Sequence, residues 1–211
     1  MKKKERENLI EQKEIVEIED ENEDDDTPKD ALWNLLKTFR NFAILALIIF
    51  LIHEFGIQRN VVNGKSMENV LQDQDSVLVD KFSYRFSNPQ RYDIVLFPYE
   101  KQNGEKIILI KRIIGLPGEK VCIKKGAVYI NGKKLEDDYG IEPIKDSGYA
   151  KTSIQLDDDS YFVLGDNRNN SVDSRSLDRY GIPVIGQVKK EKIIGKAFFR
   201  VYPFNSFGEL D

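Results

Sequence analysis

Cysteine and histidine are almost absent from this chain of 211 residues, which contains only Cys122 and His53. A single cysteine excludes an internal disulfide and a cysteine-rich metal site. Because zinc usually takes nitrogen and sulfur ligands, the same scarcity argues against a zinc centre, and we predict no metal site. A Ser-His-Asp triad would have to use His53, which ends an apolar segment where we expect it to cap a helix. The sequence therefore nearly excludes a hydrolase of the triad type.

Positive charge is also scarce at the start of the chain. Residues 1–30 hold six basic and thirteen acidic residues, a net charge of −7; the whole chain carries −4, so the rest carries +3. A run such as "EIEDENEDDD" is typical of a solvated, disordered tail, although a docking role for it stays open. Neither part of the chain is basic enough to predict nucleic acid as a partner.

Long apolar runs are limited to one stretch, in which every residue from Phe42 to Ile52 is apolar. Eleven residues at about 1.5 Å each fall short of the roughly 30 Å hydrocarbon core of a bilayer. The segment becomes long enough when its apolar flanks are included, and we predict a membrane anchor helix over residues 31–57. A buried core helix and a cleaved signal peptide are the alternatives. The lack of a small-x-small site in "LIHEFGIQRN" counts against cleavage.

Basic residues are slightly more numerous before the apolar segment than after it. Lys29, Lys37 and Arg40 precede it, whereas Arg59 and Lys65 follow within a similar distance. Because cytoplasmic flanks are enriched in lysine and arginine, this pattern predicts a cytoplasmic N-terminal tail and an extracytoplasmic remainder.

From residue 58 onward the sequence consists of short runs rich in valine, isoleucine, phenylalanine and tyrosine, such as "DSVLVDKF", "RYDIVLFPY" and "SYFVLGD". Turn signals separate these runs, and Asn131-Gly132 predicts a two-residue hairpin because both turn positions need positive φ. Residues 136–159 are polar and contain glycine and proline, which predicts a long loop or irregular hairpin. We therefore predict one mostly β domain over residues 58–211.

Ser66, in "NGKSMENVLQDQD", is either an ordinary turn hydroxyl or a nucleophile that needs a base other than histidine. A neutral lysine can serve, because burial lowers the lysine pKa from about 10.4 by about 3 to 5 pH units. Lys111, in "IILIKRIIGL", shares a strand face with Leu109 and Ile113, whereas Arg112 points the other way. The alternative is an edge-strand lysine whose charge discourages aggregation, and composition alone favours it.

The stretch "GDNRNNSVDSR" (165–175) follows a β-like run and is rich in polar groups. It is either a solvated turn or a scaffold in which Asp166, Asp173, Arg168 and Arg175 pair. In the scaffold, Ser171 can supply a hydroxyl that orients a buried amine, since an unsatisfied buried polar group costs about 1–3 kcal/mol.

The order of these features resembles that of bacterial type I signal peptidases, the Ser/Lys leader peptidases of the S26 family. "GKSMENVL", "KRIIGLPGE" and "GDNRNNSVDSR", behind an anchor, carry the resemblance over roughly residues 35–202. It implies a mostly β, signal-peptidase-like catalytic domain preceded by one transmembrane helix. The following roles are what the resemblance implies: nucleophile, Ser66; general base, Lys111; hydroxyl that binds the lysine amine, Ser171; structural pairs, Arg112 with Asp166 and Asp173 with Arg175; residue after the nucleophile, Met67.

This chain departs from the family pattern around the nucleophile. Some members carry an oxyanion-hole hydroxyl at the position of Gly64, so here the backbone N–H of Ser66 would serve. Proline and threonine commonly follow the Ser-Met pair, but this chain has Glu68, Asn69 and Val70, which removes the fixed φ of proline. Lys65 is also unusual, although a neighbour in a strand would point to the opposite face.

The implied activity is that of a membrane-bound serine endopeptidase that removes signal peptides from exported precursors with Ala-x-Ala-like sites, without metal or cofactor. One alternative is a catalytically inactive, peptidase-like membrane assembly factor for surface structures, which the unusual Glu68 and Asn69 motivate. Another is a self-cleaving repressor of the SOS type, but that protein would need an N-terminal helix-turn-helix.

Aromatic residues recur at period two in "DKFSYRFSNP", as Phe82, Tyr84 and Phe86. This pattern predicts the buried face of a strand. The alternative is a surface that contacts membrane lipid, since aromatic residues favour the interface. "FFRVYPFNSF" near the C-terminus permits the same two interpretations.

Overall fold

A computed structural model describes residues 28–210, apart from the side chains of Asp30 and of residues 52–55. The predictions for the acidic tail up to residue 27 and for the side chain of His53 lie outside these residues. The chain divides between Phe50 and Leu51 into a helical unit and a β-rich unit.

The helix α1 spans Pro28–Phe55 and begins with a proline, a residue that suits the first helical position because its φ is already fixed. Its segment Ala31–Leu51 has a mean hydropathy of 1.6, and none of it is buried. These 21 residues extend about 31 Å, enough to cross the hydrocarbon core. The exposed apolar surface does not fit a buried core helix. The helix ends two residues before the predicted boundary, because Ile57 starts the first strand.

The β-rich unit contains twelve strands within the described residues. The strands are β1 Ile57–Val61, β2 Ser76–Asp80, β3 Ile94–Glu100, β4 Lys106–Gly115, β5 Lys120–Lys124, β6 Ala127–Ile130, β7 Lys133–Lys134, β8 Ile154–Gln155, β9 Ser160–Leu164, β10 Val188–Lys189, β11 Gly195–Tyr202 and β12 Gly208–Glu209. The prediction of a mostly β domain behind one apolar helix is confirmed.

The larger sheet has the strand order β1-β2-β11-β3-β4-β9-β10, with β12 beside β11, and all its pairs are antiparallel. The smaller sheet has the order β7-β6-β5-β8. The predicted Asn131-Gly132 hairpin joins β6 to β7, with φ values of 51° and 82° at the two turn residues. The long central strand β4 pairs with β3 from Lys106 to Arg112 and with β9 only from Arg112 onward, so it connects two parts of the larger sheet.

The aromatic residues at period two do not lie in a strand, so that prediction is wrong. Residues Ser83–Arg85 form a short 3-10 helix, in which successive residues do not alternate between two faces. Phe82 and Phe86 are exposed and their ring centroids lie 4.9 Å apart, whereas Tyr84 is partly buried and its hydroxyl donates to Asp93 at 2.7 Å. Residues 136–159 are mostly loop, as predicted, with a 3-10 helix at Gly148–Lys151 and the short strand β8.

Candidate active site

Lys111 lies in the middle of β4 and only 2% of its surface is exposed. It pairs with Val95 of β3, and Val95 packs in one apolar cluster with Leu109 and Ile113. Burial in these surroundings penalises the charged amine and lowers its pKa from 10.5 to about 8, against the opposing effect of Asp173 and Asp166. A useful fraction of the amine is therefore neutral near neutral pH.

Ser66 is brought to this amine by a compact turn. Its Oγ lies 2.7 Å from Nζ of Lys111, which also donates to the carbonyl of Ile110 at 2.9 Å. Met67, directly after Ser66, is 1% exposed and packs in the core with Leu71, whose N–H donates to the Met67 carbonyl at 2.8 Å. Burial of Met67 therefore anchors the turn that presents the partly exposed Ser66.

The residues before Ser66 lie in a turn and not in a strand, which corrects the reasoning about Lys65. Lys65 is exposed to solvent, so its amine does not share the apolar surroundings of Lys111. Strand alternation plays no part in this difference. Gly64 has a φ of +97°, and its N–H donates to Asp73 Oδ1 at 2.7 Å. A residue with a side chain would be strained at that φ.

Gly165 lies in close contact with the backbone of Ser66 and the side chain of Ser171. The register of β4 with β9 pairs Arg112 with Leu164, so the next residue, Gly165, comes alongside Lys111. A Cβ atom at Gly165 would lie 2.4 Å from the carbonyl oxygen of Ser66 and 2.3 Å from Oγ of Ser171. Only glycine permits this close approach of the third motif to the turn that carries Ser66.

Ser171 reaches the site but does not make the expected contact with the lysine. Its Oγ is buried and has no hydrogen-bond partner among the described residues. The amine of Lys111 instead contacts Ser66 and the Ile110 carbonyl. The structure therefore places the Ser171 hydroxyl near Ser66, across Gly165, and leaves it without a hydrogen-bond partner among the described residues.

Arg112 and Asp166 form a fully buried pair next to the lysine. The guanidinium donates to the two carboxylate oxygens at 2.9 and 2.8 Å, and both side chains are 0% exposed. Burial raises the pKa of Asp166, and the guanidinium opposes this rise. Arg112 also donates to the Tyr92 carbonyl at 2.9 Å, and its guanidinium lies 3.7 Å from the ring centroid of Tyr139. The pair therefore ties the third motif to β4.

Asp173 and Arg175 form the second pair that the resemblance implies. Nε and one terminal nitrogen of Arg175 donate to the carboxylate at 2.9 and 2.8 Å. Asp173 also accepts the N–H of Gly165 at 3.2 Å, and Arg175 donates to the Arg168 carbonyl at 2.5 Å. These bonds fold residues 165–175 into a closed loop around Gly165.

Four residues around the site were not found from the sequence: Glu68 and Asn167 bind each other, Asp137 pairs with Arg168, and Tyr139 covers Arg112. The scaffold alternative pairs Arg168 within its own motif, but its carboxylate partner, Asp137, lies 31 positions earlier in the long loop. Composition gives no sign of such a pairing, because Asp137 stands in a polar stretch that also suits a solvated loop. The spacing of the motifs therefore does not predict that Asp137 and Tyr139 contact the arginines of the site, or that Glu68 binds Asn167.

A family model described as "Signal peptidase, peptidase S26" matches residues 35–202 of this chain. This chain belongs to the S26 family of signal peptidases. The probable signal peptidase I-2 of Synechocystis sp. is 38% identical over 88% of this chain and 80% of its own length. The signal peptidase I of Bacillus amyloliquefaciens is 37% identical over 77% of this chain and 85% of its own length.

Signal peptidase I S of Bacillus subtilis is 33% identical over 82% of this chain and 91% of its own length. A crystal structure of a signal peptidase I from Enterococcus faecalis is 32% identical; the match covers 52% of this chain and 97% of that one, with a TM-score of 0.38. As a member of this family the protein is a serine endopeptidase. The apolar helix α1 and the membership together indicate a membrane-anchored S26 peptidase.

Proposed function

We propose that this S26 peptidase removes signal peptides from exported precursor proteins, with Ser66 as the nucleophile and Lys111 as its general base. The observation that carries the proposal is the 2.7 Å contact between Ser66 Oγ and a lysine amine that is almost completely buried. An amine with a pKa of about 8 is a far better base at neutral pH than an exposed lysine.

The chemical step starts when the lone pair of neutral Lys111 accepts the hydroxyl proton of Ser66. Oγ attacks the scissile carbonyl, and the backbone N–H of Ser66 stabilises the oxyanion, because Gly64 has no hydroxyl to offer. Collapse of this intermediate breaks the C–N bond, and the proton passes from Lys111 to the leaving amine. Water, deprotonated by the same amine, then hydrolyses the ester and restores the Ser66 hydroxyl.

The precursor is proposed to bind in extended form between β1 and the first half of β4. A groove of about 560 Å³ is lined by residues of both strands, among them Asn60, Val61, Ile108 and Ile110. Within residues 28–210, β1 pairs only with β2, and no strand pairs with the second edge of β4 before Arg112. These open edges suit main-chain pairing, which gives affinity with few sequence demands, and small residues as in Ala-x-Ala would let the backbone approach Ser66.

The proposed arrangement in the cell has the N-terminal tail in the cytoplasm and the β-rich unit outside, in agreement with the excess of basic residues before the anchor. The proposed lipid contact is made by exposed aromatic side chains: Phe82 and Phe86 are 52% and 77% exposed, and Phe204 is 80% exposed. Replacing Phe82 and Phe86 by aspartate should weaken vesicle binding by a fragment of residues 58–211, which leaves out the anchor helix. Unchanged binding would remove the lipid contact from this proposal.

The catalytic roles are tested with the full-length chain in detergent micelles and a labelled precursor that contains an Ala-x-Ala site. Ser66→Ala and Lys111→Ala should each abolish cleavage, because each removes one member of the proton transfer. Lys65→Ala is the matched control, since it removes an exposed amine next to the nucleophile and should leave cleavage unchanged. Full activity of Lys111→Ala would overturn the base assignment. Circular dichroism of each variant verifies that the fold is intact.

The family membership favours this peptidase over an inactive assembly factor. The match of the family model over residues 35–202 likewise favours this peptidase over a self-cleaving repressor of the SOS type.

A further inference from the structure

Asn167 holds the turn of Ser66 at two points. Its backbone N–H donates to the Ser66 carbonyl at 3.1 Å, and its side-chain Nδ2 donates to Glu68 Oε2 at 3.3 Å. The two acceptors belong to the residues on either side of the buried Met67. The turn is therefore fixed on both sides of the residue that anchors it in the core.

The residue before Asn167 fixes the strand that carries the base. Asp166 accepts two hydrogen bonds from Arg112, the neighbour of Lys111 in β4. Asp166 and Asn167 are consecutive, so one dipeptide holds β4 through Arg112 and the nucleophile turn through Ser66 and Glu68. The separation of Ser66 Oγ and Lys111 Nζ depends on the rigidity of this connection.

A second path joins the same turn to the same strand. Nδ2 of Asn69 donates to the Tyr139 carbonyl at 3.1 Å, and the ring of Tyr139 covers the guanidinium of Arg112. Glu68 and Asn69 thus each contact a different segment, and both segments meet at Arg112. Neither Glu68 nor Asn69 touches Ser66 Oγ or Lys111 Nζ through a hydrogen bond in the described part of the chain.

We infer that Glu68, acting through Asn167, is a positioning residue of the Ser66–Lys111 dyad, and that Asn69, acting through Tyr139, supports it. The inference rests on the proposed roles of Ser66 and Lys111. Hydrogen bonds that join Glu68 and Asn69 to two neighbouring segments restrict the turn.

The test compares Glu68→Ala with Glu68→Gln in the full-length chain, with the labelled precursor as substrate. Glu68→Ala frees one side of the turn and should lower kcat about 10- to 100-fold with little change in KM, because misplacement of a reacting group by about 1 Å costs that much. Glu68→Gln should recover most of the rate, since its amide oxygen still accepts from Asn167. The pH midpoint of the rate should not move, because the apolar walls around Lys111 stay unchanged. Glu191→Ala is the control: Glu191 is exposed, and its side chain makes no hydrogen bond or ion pair within residues 28–210.

A wild-type kcat in Glu68→Ala, equal losses in the alanine and glutamine variants, or a shifted pH midpoint would each overturn the inference. The double variant Glu68→Ala/Asn167→Ala should be no slower than Asn167→Ala alone, because both changes break the same contact. If Glu68→Ala does not fold, Asn69→Ala carries the test by the second path, and a wild-type kcat there is the refuting result. Cleavage by Ser66→Ala or Lys111→Ala would refute the proposed function itself; inactive dyad variants beside a fully active Glu68→Ala would refute only the positioning role.

Discussion

Lys111 and Arg112 are neighbours in β4 and are almost equally buried, yet their surroundings differ. The lysine lies among apolar side chains and makes no ion pair in the described part of the chain, whereas the arginine meets a carboxylate with two hydrogen bonds and an aromatic ring. Burial without a counter-charge favours the neutral form of a base, and burial with one preserves the charge. One strand thus carries the proposed proton acceptor on one side and a structural ion pair on the other.

The comparison predicts that removing the carboxylate beside Arg112 destabilises the fold, whereas replacing Lys111 by an apolar residue stabilises it. Asp166→Asn leaves Arg112 buried beside a neutral amide and should lower the free energy of unfolding by about 3–5 kcal/mol. Lys111→Met fills the same space with an apolar chain and should raise that free energy by about 1–3 kcal/mol at pH 7, because the unfolded state no longer gains by exposing the amine. Urea unfolding of the β-rich unit measures both changes. A destabilised Lys111→Met would contradict this prediction, since it would show that the buried amine contributes net favourable contacts.

The pH dependence of cleavage tests whether burial lowers the pKa of Lys111. Only the neutral amine accepts a proton, so kcat/KM should rise about tenfold per pH unit below a pKa of about 8 and level off above it. The sign for stability is also fixed: the folded pKa lies below the unfolded value of 10.5, so the folded state binds fewer protons between these two values. The unfolding free energy of the native chain should therefore rise relative to Lys111→Met as the pH increases from about 8 to about 10.5. A rate that is flat between pH 6 and 9 would show that another group sets the base strength.

The sequence predicts the elements of this site better than their contacts. The apolar run, the short strands and the Asn131-Gly132 turn are local patterns, and the structure contains each of them. The pairing of Arg168 with Asp137 and the contact of Glu68 with Asn167 join residues 31 and 99 positions apart, and no local pattern encodes such pairs. The period-two aromatics were misread because a 3-10 helix with two exposed rings has the same spacing as a buried strand face. Local chemistry therefore gives the candidate groups, and the fold decides which of them meet.

The smallest predicted change in stability is at Ser171, where the structure differs from what the resemblance implies. The resemblance implies a hydrogen bond from its hydroxyl to the lysine amine, but Oγ has no partner within the described residues and is buried. Removal of an unsatisfied buried hydroxyl costs no hydrogen bond, so Ser171→Ala should leave the unfolding free energy unchanged or raise it by up to about 1 kcal/mol. Thermal unfolding of the β-rich unit measures the change, with Ser174→Ala as the matched control. The Ser174 Oγ accepts the N–H of Val163 at 3.0 Å, so the control should lose about 1 kcal/mol or more. Equal losses in the two variants would contradict the prediction, because they would show that the Ser171 hydroxyl makes a hydrogen bond that stabilises the fold.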